Sequence, residues 1–331
     1  MKSLMLGRLG NRALMVAAMA MATSRPCMAV DSTAAERAKH SLMLGRVDEA
    51  VIELGQTIAA DPRNGAAHLL LCRAFYAQES AAAAVGECEA ALANGLANDS
   101  HAQDWMGRAY GMKADRSGPL TGLSLAKKVK AAFEKAVQLD PENGGAANDL
   151  SEYYVAAPSI VGGGLDKATA LAARVEARLP QQAHRMRAFV SRKKKDYVTA
   201  EREFRAAVSV AGRADAWTDL GDFYARRGQS DQAVAALHNA VEANAAADAS
   251  LLDAASILGS IHREPRMAMQ ALRQYLASNA MSDAGPAFKA HYQLGKLLEA
   301  EGNKPAAKSE YEAALALAAN YAPARNALQA H

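Results

Sequence analysis

Small and large apolar residues recur along this chain at the three- and four-residue steps of a helix. The same arrangement returns about every 34 residues. The clearest instance runs from Ala214 to Ala247. Trp217, Leu220, Gly221 and Tyr224 share one face of a predicted helix, Gly228 breaks it, and Ala233, Leu237 and Ala240 share a face of a second. A lone pair of such helices cannot bury its apolar face, so successive pairs must stack on one another. No run of alternating β-branched residues is found. The pattern predicts an all-α chain, with sixteen repeat helices if eight pairs form.

Sliding the pattern along the chain finds the other units. They fall at about 31–64, 65–98, 100–143, 144–180, 181–213, 249–283 and 288–321, making one continuous array over 31–331. Gly45, Leu71, Cys72, Cys88, Met106, Gly107, Leu294 and Gly295 are among the residues that carry the matches. Pro62, Pro141 and Pro180 stand where a second helix ends, because proline cannot donate to the preceding turn. Gly45, Gly228 and Gly302 stand where the chain reverses, and Asp48, Asp166 and Asp231 put a carboxylate in a first helical turn. Two inserted segments, 112–128 and 157–165, read as decorated loops inside units three and four. The tail from Ala322 to His331 reads as the start of a further helix over the last apolar face.

These motifs resemble the tetratricopeptide repeat, the helix-turn-helix unit of a large family of interaction scaffolds. The resemblance implies an α-solenoid, wound as a right-handed superhelix of about eight repeats, in which each unit contacts its neighbours. It also implies a concave groove lined by the first helix of each unit. Projected onto this chain, the groove shows Arg73 and Tyr76, then Asp104, Trp105 and Arg108. It continues with Asn148, Asp149 and Glu152, then Arg185, Phe189 and Arg192, then Thr218, Asp219 and Asp222, and ends on Asp253, Tyr292 and Lys296. Aromatic anchors among charges of both signs suit a peptide or a helix. The Lys, Asn and Arg set with which some family members grip a C-terminal carboxylate is not in register here.

The N-terminus departs from the repeat pattern. Lys2, Arg8 and Arg12 precede an apolar run from Ala13 to Ala22, and Cys27-Met28-Ala29 offers small residues for cleavage after Ala29. That is the plan of a secretory signal peptide over 1–29, with a second possible cleavage site at Ala22. The run is short for a membrane span, which takes about 20 residues. Ser24-Arg25-Pro26 before Cys27 is a poor match to a lipoprotein box and disfavours anchoring through Cys27. Export to the periplasm or beyond is the expected destination.

Removal of that segment changes the charge. The full chain has 38 Lys+Arg against 35 Asp+Glu, a net charge of +3, but residues 1–29 hold four bases and no acid, which leaves 34 against 35. A nucleic-acid partner loses its support, because phosphate binding needs a concentrated positive field. A local exception is the run Arg185, Arg187, Arg192, Lys193, Lys194 and Lys195. It reads as an anion-binding patch or as a solvated helix end, and the second reading is favoured.

Cys72 and Cys88 face each other across the two helices of the second unit. Two readings stay open: a disulfide in an oxidising compartment, or two small buried side chains. His68 precedes Cys72 by one helical turn, but no fourth ligand is in view and a metal site is disfavoured. Gly162-Gly163-Gly164 lacks the Gly-Lys-Ser/Thr ending of a phosphate loop, and the histidines form no His-Glu-x-x-His pair. The expected function is therefore a non-enzymatic scaffold of the bacterial cell envelope, without cofactor, that binds a peptide or protein in its groove. The runner-up is a ligand-binding accessory protein of an envelope transporter.

Overall fold

The computed structural model describes residues 29–278, 281–283 and 285–330. The expected leader, Cys27 included, lies outside the described residues apart from Ala29. Seventeen α-helices are present, and no β-strand occurs among the described residues. Antiparallel pairs follow one another: α1 (Ala29–Met43) with α2 (Val47–Ala60), and α3 (Gly65–Ala77) with α4 (Ala81–Ala91). Next come α5 (Ser100–Asp115) with α6 (Pro119–Leu139), and α7 (Gly144–Ala156) with α8 (Leu165–Val175). The array continues with α9 (Pro180–Lys193) and α10 (Tyr197–Ala211), then α11 (Ala214–Arg226) and α12 (Ser230–Ala243). It ends with α13 (Ser250–Ser260) and α14 (Pro265–Leu276), α15 (Ala287–Ala300) and α16 (Lys304–Leu317), and a last helix, α17 (Ala322–Gln329). No described helix is long and apolar enough to cross a membrane.

Helix starts follow local chemistry. The side chains of Asn64, Asp99, Asn143, Asp196 and Asn303 each accept a backbone N–H three residues on, satisfying a donor that the first turn leaves orphaned. Pro119, Pro180 and Pro265 open helices at the position where a missing N–H costs nothing. Pro180 therefore belongs to the fifth pair rather than ending the fourth.

Within a pair, a residue with no side chain lets the partner helix close in. A Cβ added at Gly107 would lie 2.4 Å from Phe133, at Gly221 2.7 Å from Leu237, and at Gly295 2.4 Å from Tyr311. The facing large side chain fills the space: Leu237 and Tyr311 are fully buried. In the second pair the same two slots hold Cys72 and Cys88, whose sulfurs are bonded with their Cα atoms 5.2 Å apart.

Two further expectations are corrected. The segment 112–128 is not a loop: α5 runs on to Asp115, the chain turns over Arg116–Gly118, and α6 takes 21 residues. Leu125, Val129, Ala132 and Phe133 sit on its buried face at helical spacing, which is why the insertion lengthens a hairpin instead of looping out. The second correction concerns the ends. Adjacent pairs do stack in series, but the first and last pairs also meet. Leu42 and Leu54 share one buried cluster with Phe288, Ala314, Tyr321 and Ala324. The Ala319 N–H donates to Asp48 at 2.8 Å, and Arg73 Nε lies 2.5 Å from Asp283 across 210 residues of sequence. A small rotation per repeat accumulates into curvature, and here it brings the ends of the row together.

Candidate binding channel

The first helices of successive pairs contact one another along the inner row, α3 with α5, α5 with α7, α7 with α9, α11 with α13 and α13 with α15. Three clefts lie along that row. One of about 590 Å³ is lined by α3, α5, α6 and α7, one of about 550 Å³ by α7, α9, α11 and α13, and one of about 490 Å³ by α13 and α15. Glu152 and Ala156 line both the first and the second, and Ser256 and Ser260 line both the second and the third. Neighbouring clefts therefore share a wall, and together they trace a channel along the inner row from Tyr76 to Ala300.

Aromatic rings clamped by arginines punctuate this channel. Trp105 lies between the guanidinium carbons of Arg73 and Arg108, 5.2 and 4.8 Å from its ring centre, with Tyr76 edge-on at 5.4 Å. Phe189 is held in the same way by Arg185 at 4.3 Å and Arg192 at 4.6 Å. Each guanidinium is also claimed by carboxylates, from its own or a flanking first helix for Arg108, Arg185 and Arg192, and from Asp283 for Arg73. Arg108 reaches Asp149 at 2.6 Å and Asp104 at 3.0 Å. Arg185 reaches Asp219 at 2.7 Å and Glu152 at 2.8 Å, and Arg192 reaches Asp222 at 3.4 Å. Because the repeat period returns each column to the same face, an arginine in one unit meets a carboxylate in the next: Arg185 and Asp219 are 34 residues apart.

The acids outnumber what these arginines neutralise, and burial makes their charge expensive. Burial raises the Asp104 carboxyl to about 7, against the pull of Arg108 and with a push from the neighbouring Asp149 charge. Asp149 is raised by the same burial, and Asp219 by burial against the opposing pull of Arg185. Asp253 has no cation in ion-pair range among the described residues. Hemmed in by the channel wall and facing Asp219, Asp248 and Asp222, it is pushed up to about 6, with Arg185 pulling weakly the other way. Its side chain stays open to the channel's solvent.

The structure brings together most of the residues projected from sequence. Tyr76, Arg108, Asp149, Glu152, Arg185, Phe189, Arg192, Thr218, Asp219, Asp222 and Asp253 all line the first two clefts, and Lys296 lines the third. Asn148 lines a smaller recess with Gln181, Arg185 and Asp215, where its Oδ1 is buried without a hydrogen-bond partner. Arg73 and Trp105 flank the first cleft, and Asp104 is buried beneath it. Tyr292 is elsewhere: it packs against Tyr311 and Tyr321 near the junction of the ends. The basic run divides too. Arg185, Arg187 and Arg192 are ion-paired, with Arg187 on Glu176, while Lys193, Lys194 and Lys195 are at or beyond the end of α9.

Both ring nitrogens of His68 are engaged within the protein. Its Nδ1 pairs with Glu87 at 2.6 Å and its Nε2 faces the Pro62 carbonyl at 3.1 Å. The same pairing ties first to second helix in two more units, His184 with Glu203 at 2.8 Å and His291 with Glu310 at 2.7 Å. Sequence reading missed this recurrence, although all three pairs share one 19-residue separation.

The tetratricopeptide repeat family model matches residues 214–246 and 288–321. No curated protein matches the chain in sequence. Solved structures of similar shape include a thermophilic tetratricopeptide-repeat protein of Thermus thermophilus, 15% identical over 69% of this chain and 98% of that one, with a TM-score of 0.46. Others are PilW, a widely conserved type IV pilus biogenesis factor, at 17% identity over 65% and 94% with a TM-score of 0.47, and a tetratricopeptide repeat protein from Parabacteroides merdae ATCC 43184, at 15% over 90% and 97% with a TM-score of 0.42.

Proposed function

Since the chain is a tetratricopeptide-repeat protein, we propose that it is a protein-interaction scaffold of the cell envelope whose channel takes an extended, basic peptide segment. The observation that carries this reading is the row of three adjoining clefts, combined with arginines already ion-paired to carboxylates. A partner's cation meets acids that lack full compensation, Asp253 first, while Tyr76 lines the first cleft as an aromatic wall for apolar and cationic side chains. An acidic partner would have to displace internal ion pairs. The envelope location rests on the basic and apolar leader, and agrees with a bridged Cys72–Cys88 pair.

Fluorescence polarisation with a labelled Lys-Ala repeat peptide and its Glu-Ala counterpart tests the charge rule. The expected result is salt-sensitive binding of the first only, weakened about tenfold by Asp253→Lys, on the scale of one lost charge-assisted contact. Preference for the Glu-Ala peptide, or indifference to Asp253→Lys, rejects the assignment.

A second reading, a carrier for a small ligand, draws on the meeting of the ends and on cleft volumes of the size that holds such molecules. A thermal-shift screen decides it: a ligand at about 100 times its dissociation constant adds about 2.7 kcal/mol to stability.

A further inference from the structure

The turn end of the lengthened third hairpin and the loop after α7 form a feature outside the channel, although Tyr153 and the buried face of α6 also line the first cleft. Tyr153 Oη lies 2.8 Å from both the Ala126 and the Val161 carbonyl oxygens, which fixes the short helical turn Ser159–Val161 against the side of α6. The loop is tightly built. Gly163 and Gly164 donate backward to Pro158 and Tyr154, and a Cβ at Gly163 would collide with the Ala157 carbonyl. This buttress presents large apolar side chains to solvent: Leu120 is 85% exposed, Ile160 73% and Leu123 40%.

The cations are placed behind them. At 100° per residue, Leu120, Leu123, Lys127 and Lys130 fall on one outward stripe of α6, opposite the buried Leu125, Val129 and Ala132. Between Arg116 and Phe133 the sequence holds Arg116, Lys127, Lys128 and Lys130 and no acid. Arg116 is committed to Glu79, and Lys130 lies 3.8 Å from Glu134. Lys167 stands on the loop side, its Nζ on the Gly162 carbonyl. From Leu123 to Lys130 the helix rises about 10 Å. That is close to the depth, about 5–10 Å, to which interfacial helices sink between headgroups and acyl chains.

The geometry points to a membrane-docking tip: Leu120, Leu123 and Ile160 enter the acyl boundary of an anionic lipid surface while Lys127, Lys130 and Lys167 meet its headgroups. Charge decides the occupant. Lysines are depleted at the cores of protein interfaces but contribute to attraction by anionic lipid. Docking there leaves the channel, built from other faces of α5 and α7, open to its partner.

The test follows the tip itself, so that the basic leader does not confuse the result. An environment-sensitive fluorophore is placed on Ile160→Cys, and in a second protein on Ile52→Cys, both with Cys27 replaced by serine. Each is mixed with vesicles of phosphatidylcholine alone or with phosphatidylglycerol added. The expected result is a blue shift of the Ile160 label on phosphatidylglycerol vesicles only, reversed by high salt, with no shift of the Ile52 label. Lys127→Glu with Lys130→Glu weakens the partition about tenfold or more, since each juxtamembrane lysine adds attraction of its own. Circular dichroism checks that this variant keeps its helices, and Lys308→Glu, an exposed charge reversal on α16, leaves the shift unchanged. An Ile160 label that stays in water on both vesicles overturns the proposal. So does one whose shift ignores the lysines, or one that moves only when a soluble protein is added.

Discussion

Arg108 both shapes the channel and holds it together. Its guanidinium stacks on Trp105 and is shared between Asp149 at 2.6 Å and Asp104 at 3.0 Å. Removing it leaves two crowded carboxylates uncompensated, so Arg108→Ala is expected to cost about 3 kcal/mol in urea unfolding, the low end of the range for breaking a buried ion pair. An unchanged midpoint would show that the triad is dispensable. Binding is better probed at Asp253, which is open to solvent and has no ion-pair partner among the described residues. The same acids set a pH profile. Asp104 and Asp253 sit at about 7 and about 6 in the fold, against an ordinary value of 3.8. Between the ordinary and the folded values the native state binds more protons than the unfolded one. Their stabilising contribution is therefore complete below about pH 4 and is lost as pH rises through 6 and 7. Denaturation midpoints should fall from pH 5 to pH 8, and Asp104→Asn should flatten the slope. A profile that rises over that range contradicts the assignment.

Between helices, the repeat's columns explain both what sequence makes legible and what it hides. The slot pair sixteen residues apart, Gly221 with Leu237, Gly295 with Tyr311 and Cys72 with Cys88, was readable because close approach demands an unusual residue. The His–Glu pairs recur in columns of their own, in three units among the described residues, so no single unit announces them. The long α6 was hidden by the template itself, which treats extra residues as a loop even where Leu125, Val129 and Phe133 keep helical spacing. The channel's ion pairs were half legible: Arg185 and Asp219 stand one period apart, yet which rotamers meet depends on packing. Cys72–Cys88 supplies the test at this scale. Closing about 15 residues, the bridge contributes about 3 kcal/mol. Dithiothreitol should therefore lower the melting temperature of the parent, and it should not affect a Cys72→Ala, Cys88→Ala variant that already melts at the lower value. Equal melting of parent and variant under oxidising conditions would mean that the thiols are free in solution.

Closure of the row is a property of the whole molecule, and no local pattern contains it. Arg73 and Asp283 are 210 residues apart, and their meeting depends on the summed rotation of every repeat between them. Gly45 isolates this contact from the turn it occupies. It has φ +72°, and a Cβ there would lie 2.6 Å from the Ala287 backbone nitrogen in the last pair. Gly228 makes the equivalent turn in the sixth pair at φ +70°, with nothing within 4 Å of an added Cβ. Alanine at either position bears the same left-handed backbone cost, about 1 kcal/mol. Only Gly45→Ala must also push the ends apart. Gly228→Ala should therefore lose about that much stability with an unchanged radius of gyration in solution scattering. Gly45→Ala should lose more and expand, at equal helical content. If the two variants match in both stability and radius, the ends do not meet in solution, and the channel is an open groove that a partner enters from the side.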